Sequence, residues 1–332
     1  MTREEIEGLR SYRDIFNSSK EENKRIYKEI VKEWHPDRYM RYGDREKIEE
    51  AELVMRKINK LYEEYKNSIN RYKEKTFKTL EGKEVRMKYI KEEINEIGVV
   101  YIGKRVVVYE IGEDKRKYYD NYRKIVEGFR YGDEKMREEM EKYLPIGVKY
   151  KEIEGGALII IDKGEEYIRL KDIIENYGER MTGRVMSWII SSLYNIVCYY
   201  EWSKKVQNGI TEDNVYITMK NHASKIIGGY WYSGIVGERM IGCKKETYEI
   251  MPFKNKRDKE NGYKTDLESI RLIGRKMMNK VREVMKEYFK SVVVNESAIE
   301  EYRLWNKVLD KAYGKKREFV KMEVTNEEIY NL

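Results

Sequence analysis

The sequence predicts a mostly helical protein: an N-terminal helical hairpin, then an α+β domain with a small β-rich lobe ahead of a larger helical lobe. Three patterns carry that expectation. Over residues 4–67 apolar side chains recur at steps of three and four, the spacing of one helix face. Between 99 and 161, β-branched runs are joined at glycines, which signals hairpins. From Leu170 onward helical patterns dominate, with short β runs between them. Strands first and helices after is an α+β order.

Residues 4–17 are expected to form a first helix, with Ile6, Leu9, Tyr12 and Phe16 on one face. Ser19 with Glu22 three residues later reads as a capping box that starts a second helix. In that helix Tyr27, Ile30, Val31 and Trp34 share a face, and Lys24, Arg25, Lys28 and Lys32 take the other side. His35-Pro36-Asp37 stops it, because proline has no N–H and restricts the residue before it. A polar loop over 38–44 leads to a third helix from about Arg45 to Asn67. Its seam is Ile48, Ala51, Met55, Ile58, Tyr62 and Tyr65, which suits the second helix as antiparallel partner. The charged stretch 68–82 reads as a helical extension or linker, so the domains are 1–70, a connection over 71–84, and 85–330. Val99–Ile102 and Arg105–Ile111 form a hairpin through Gly103, and Gly147–Ile153 and Ala157–Ile161 a second through Gly155-Gly156. Glu113–Tyr143 reads as helix broken at Gly128 and Gly132. A long apolar helix spans Val185–Ser203, and short β runs lie at Val215–Thr218 and Ser224–Ile227.

Composition excludes several classes. The chain of 332 residues has 68 basic and 60 acidic residues, a net charge of +8, with the two signs interleaved along helices as solvated faces. Its 30 tyrosines fit an AT-rich codon bias, and no aromatic-plus-basic stripe stands out, so nucleic acid is not an expected partner. No run of roughly eighteen apolar residues is present, so no membrane span is expected. The opening MTREEIEGLR is polar and acidic, unlike a signal peptide. Two cysteines, Cys198 and Cys243, make neither a disulfide framework nor a zinc site, and Cys198 falls in an apolar helix as a core residue. His222 is the only histidine besides His35, so neither a metal nor another cofactor is expected. The reducing cytoplasm is the expected compartment, a host's if the source is viral.

The tripeptide His35-Pro36-Asp37 gains meaning from its place between two amphipathic helices with matching apolar faces. The segment from Arg25 to Arg38, RIYKEIVKEWHPDR, resembles the second helix and loop of J domains. Tyr27, Ile30 and Trp34 fall where that family keeps a tyrosine, a leucine and an aromatic, and Ala51 and Ile58-Asn59 resemble its third helix. The resemblance covers residues 5–68. It implies a co-chaperone that engages a DnaK-type chaperone and stimulates its ATPase, with His35, Pro36, Asp37, Lys24, Arg25, Lys28, Lys32 and Arg38 as the binding residues. A basic helix can dock on an acidic surface, and a turn carboxylate can pair bidentately with an arginine. The Gly/Phe-rich linker and the CxxC zinc repeats of the DnaJ type are missing.

Residues 85–330 more weakly resemble a protein-kinase fold. The segment from Gln207 to Ile217, QNGITEDNVYI, resembles a catalytic loop, with Asn214 on the metal-binding asparagine and Gly209 where the catalytic aspartate should be. Lys225 to Tyr230, KIIGGY, sits at the metal-binding DFG position with Gly228 in place of its aspartate. Asp266 matches the acid of the helix that anchors the catalytic loop. A glycine-rich loop and a strand lysine are not evident. Phosphoryl transfer is almost wholly positioning and charge neutralisation, so the resemblance implies a non-enzymatic pseudokinase-like module that binds a client or target. An atypical kinase or nucleotide-binding switch, and a nucleic-acid adaptor using Lys311 to Lys321, stay open as alternatives.

Overall fold

The computed structural model describes residues 1–332 except 19, 41–43, 71, 221, 317–319, 321, 323 and 331–332. Helices take about 51% of the chain and strands about 19%, a mixed α+β protein, and the chain divides into two compact units, Met1–Lys73 and Glu74–Asn331.

In the first unit α1 (Arg3–Gly8) is followed by a 3-10 turn (Tyr12–Asp14), α2 (Lys20–Trp34), α3 (Asp37–Met40) and α4 (Arg45–Asn70). The expected single helix over 4–17 is broken. Thr2 and Glu5 form a capping box for α1, but the Asp14 carboxylate accepts the amides of Arg10 at 2.7 Å and Ser11 at 2.9 Å. Two backbone donors tied to one side chain favour a turn over continued helix. The expected Ser19 capping box lies outside the described residues; beside it, buried Asn23 accepts from the Ser18 amide and donates to its carbonyl.

The seam of α4 differs by one residue from expectation at two points. Ala51, Val54, Ile58, Leu61 and Tyr65 are buried, whereas Met55 and Tyr62 are half-buried at its edge. Apolar steps of three and four define two adjacent rows in this helix, and packing against α1, α2 and α3 selects the row. The core adds Ile6, Ile15, Phe16 and Ile30, and Tyr62 stacks on Tyr27 at 3.8 Å between ring centroids. Each such aliphatic burial stabilises by about 1.5–3 kcal/mol.

The second unit opens with β1 (Lys73–Lys78) and β2 (Glu84–Tyr89), which pair with each other. From Lys73 onward the stretch expected as a linker or helical extension is therefore a strand and a turn instead. Its charges sit on the exposed positions of a strand, and Phe77 and Tyr89 point into a core. Next come β3 (Lys91–Asn95), β4 (Gly98–Ile102), β5 (Val106–Gly112), α5 (Arg116–Glu127), α6 (Glu134–Met140), β6 (Lys149–Ile153) and β7 (Gly156–Asp162). The sheet is antiparallel in the order β3-β4-β5-β7-β6, with Val107 opposite Ile161 and Tyr109 opposite Ile159. Both of its faces are covered, which explains the near-continuous apolar runs. Val107, Tyr109, Ile159 and Ile161 face the main core, while Val108 and Leu158 join Phe77 and Tyr89 on the other side.

The chain continues through β8 (Tyr167–Arg169), α7 (Leu170–Tyr177), α8 (Gly183–Trp202), β9 (Lys205–Val206), β10 (Val215–Thr218), β11 (Ala223–Ile226) and β12 (Gly234–Ile235). It ends in α9 (Lys245–Ile250), α10 (Phe253–Asp258), α11 (Tyr263–Lys276), α12 (Glu283–Lys290), α13 (Ala298–Tyr313) and α14 (Asn326–Tyr330). The apolar helix α8 is buried on most sides and packs on α11 and α13. A buried ion pair joins the last two: Arg271 donates to Glu301 Oε1, which also accepts the Tyr288 hydroxyl at 2.7 Å. Among the described residues no helix is long and apolar enough to cross a membrane.

Candidate functional site

The His35-Pro36-Asp37 loop is anchored at its base and open at its tip. The Trp34 indole donates to the Met1 carbonyl at 3.1 Å, and the Tyr39 hydroxyl donates to the Glu33 carbonyl at 3.1 Å. The amides of Arg38 and Tyr39 close on the carbonyls of His35 and Pro36, so the chain turns directly into α3. The Asp37 amide donates to His35 Nδ1 at 3.3 Å. That acceptor role belongs to the neutral ring, so the 3.6 Å approach of Nδ1 to the Asp37 carboxylate is not an ion pair in that tautomer. The Asp37 side chain is 77% exposed, and among the described residues no Lys or Arg meets its carboxylate.

On α2, Lys24, Lys28 and Lys32 recur every four residues, are exposed, and make no ion pair among the described residues. Arg38 is likewise exposed. Arg25 is partly committed, donating to Glu22 at 2.7 Å with Glu29 at 3.9 Å. The Tyr27 hydroxyl donates to Asn59 at 2.9 Å, which ties α2 to α4 beneath this surface.

The second set of sequence candidates is brought together in the second unit, but as a closed polar core. Asp266, fully buried on α11, accepts the amides of Gln207 and Asn208, each at 2.8 Å. Burial pushes its carboxyl up to about 7, against the lowering by those two amides. Asn214 donates to the Gly209 carbonyl at 2.8 Å, and Gln207 donates to the Gly228 carbonyl at 2.9 Å. Asn208 takes a left-handed φ of 56° and donates to Asn261 at 2.6 Å. Asparagine tolerates that conformation better than most residues, and the glycine after it eases the turn.

No carboxylate could be accommodated at Gly228 as the loop stands. A Cβ there would run into the Asn214 amide oxygen and lie 2.6 Å from the Tyr109 hydroxyl. A Cβ on Gly209 would lie 3.0 Å from the Gly229 α-carbon. Tyr109 comes from β5, is 2% exposed, and meets Trp231 edge-on at 5.0 Å. The Tyr122 hydroxyl of α5 donates to the Ile227 carbonyl at 2.8 Å, and the Asn121 amide donates to three carbonyls between 230 and 233. Tyr109, Asn121 and Trp231 escaped sequence reasoning because nothing local in β5, α5 or the 230–232 turn shows that they meet. The carboxylate of Asp213, within the same loop, is committed to Lys244 at 2.8 Å and Lys171 at 3.1 Å. Burial raises it, but the two ammonium groups prevail and hold it below its ordinary range. Among the described residues no group of His, Cys, Asp and Glu side chains could hold a metal ion.

No family model matches the chain, and no curated protein matches its sequence.

Proposed function

We propose that the chain is a co-chaperone whose first 70 residues act as a J domain, recruiting a DnaK-type chaperone and stimulating its ATP hydrolysis. The observation that carries this reading is the exposed Asp37 carboxylate, met by no Lys or Arg among the described residues and presented on an anchored loop at the end of the helix that carries Lys24, Lys28 and Lys32. Such groups serve recognition better than stability: exposed charges contribute about 0–1 kcal/mol to a fold, yet set orientation and on-rate when a charged partner arrives. The second unit, in this reading, is a pseudokinase-like adaptor that brings a client or target. Support comes from the succession of a five-stranded sheet with helix α5, then a helical half, and from Asp266 holding the loop amides as a buried framework. Glycine at 209 and 228 and the packing of Tyr109 and Asn214 argue against phosphoryl transfer at that loop.

The test is the steady-state ATPase rate of a DnaK-type chaperone from the source cell, or its host, with the full chain added. The wild-type chain raises the rate, and Asp37→Asn removes the stimulation while leaving the unfolding midpoint unchanged. No stimulation by the wild-type chain of any DnaK-type chaperone in that cell refutes the reading.

A further inference from the structure

Four stretches of the second unit deliver cations to one cavity of about 680 Å³. Lys124 comes from the last turn of α5 and Arg130 from the segment beyond it. Lys204 and Lys205 follow α8, and Arg239 follows β12. Among the described residues Glu238 is the one carboxylate lining the cavity. Neighbouring cations outside it are paired along their own helices, Arg123 with Glu127 and Arg137 with Glu141. None of the five lining cations makes an ion pair among the described residues.

Lys205 spends its ammonium on the Gly128 carbonyl at 3.0 Å, and burial, then the charge of Arg130, lowers its pKa. The remaining four are available to a ligand. Lys204 holds a φ of 56°, a conformation that glycine takes without penalty, so the turn itself does not call for lysine. Trp202, 51% exposed, and Ile241, 39% exposed, add apolar wall to the same cavity.

Five cations against one carboxylate around a concave site repel one another on balance, and an anion relieves that repulsion. The volume falls in the range of about 300–1,000 Å³ that small-molecule sites occupy. The arginines suit bidentate contact with phosphate oxygens, and the lysines act as point charges. We infer that this cavity binds a small polyanion carrying adjacent phosphate groups. The inference is independent of the co-chaperone reading. The shared chemistry is the phosphate cluster; Trp202 is placed to stack on a base if the source is a nucleotide.

The test is calorimetric titration of the full chain with inorganic tripolyphosphate and, separately, with magnesium-free ATP. Tripolyphosphate binds saturably at one site, more weakly as salt rises. Arg130→Gln and Lys204→Gln each weaken it about tenfold, the loss expected for one charge-assisted hydrogen bond. Lys307→Gln, on the exposed face of α13, leaves it unchanged. ATP that binds more tightly than tripolyphosphate, with the gain lost in Trp202→Ala, assigns a nucleotide; equal affinities assign the phosphates alone. Absence of saturable binding, or equal weakening by Lys307→Gln and Arg130→Gln, overturns the inference.

Discussion

Two polar loops in this chain, one after helix α2 and one after strand β9, use their polar groups in opposite ways. At His35-Pro36-Asp37 the backbone is tied down by Trp34 and Tyr39, while the Asp37 carboxylate faces solvent. At Gln207–Asn214 Asp266 holds two backbone amides, and the side chains of Gln207, Asn208 and Asn214 turn inward to Gly228, Asn261 and Gly209. The first loop leaves its carboxylate to solvent; the second ties parts of its own unit together. Unspent polar groups on a fixed base suit recognition, whereas groups spent largely within their own unit suit a framework.

Substitutions can break or sharpen that contrast. The largest effect is expected at Asp266→Ala, which strands two buried amides at about 1–3 kcal/mol each; chemical denaturation should show the second unit losing about 4 kcal/mol, and a loss under about 1 kcal/mol would mean the loop is not framework. Next is Gly228→Asp, which forces a side chain against Asn214 and Tyr109; overpacking of this kind costs about 1–3 kcal/mol, to be read in the thermal unfolding midpoint. An unchanged midpoint would show that the pocket over Gly228 opens readily.

A pH titration sharpens the same point. The Asp266 carboxyl is held near pH 7 in the folded state, against an ordinary 3.8. Between those values the folded state keeps a proton that the unfolded chain releases. The stability this contributes is fully present below 3.8 and is lost as pH rises toward 7. Asp266→Asn removes that component, so the difference in stability between wild type and variant should vary with pH across the window and flatten above it. A constant difference from pH 4 to 8 would contradict the raised carboxyl. The smallest effect on stability is expected at Asp37→Asn, within about 0.5 kcal/mol as for exposed sites generally, measured by denaturation of the full chain. A larger loss would place Asp37 in the framework after all.

Sequence and structure agree best where the determinants are local. The stops at His35-Pro36-Asp37 and the hairpins through Gly103 and Gly155 follow from proline's missing donor and from glycine at the turns. Agreement fails where a side chain competes with the helix or a strand carries charge. Asp14 captured two amides and broke the helix expected over 4–17. The alternation of Lys73–Lys78 was hidden because only Phe77 is buried, and its partner strand lies beyond Gly82. The α4 seam was legible to within one residue, since two overlapping rows fit the same periodicity.

Of the candidate sites, the exposed loop and the lysine stripe could be named from the sequence, because all of those residues lie within about one helix and its end, where spacing of 3.6 residues per turn decides which face each occupies. The sequence also supplied Gly209, Asn214, Gly228 and Asp266 by their order. Only the tertiary structure decided what fills the space between them. Tyr109, Asn121 and Trp231 arrive there from strand, helix and turn far apart in the chain, as do the cations around Lys204. Helix faces and turns are set by interactions over a few residues, so periodicity reveals them; which side chains close a core or line a cavity depends on the pairing of distant elements, and no local pattern encodes that.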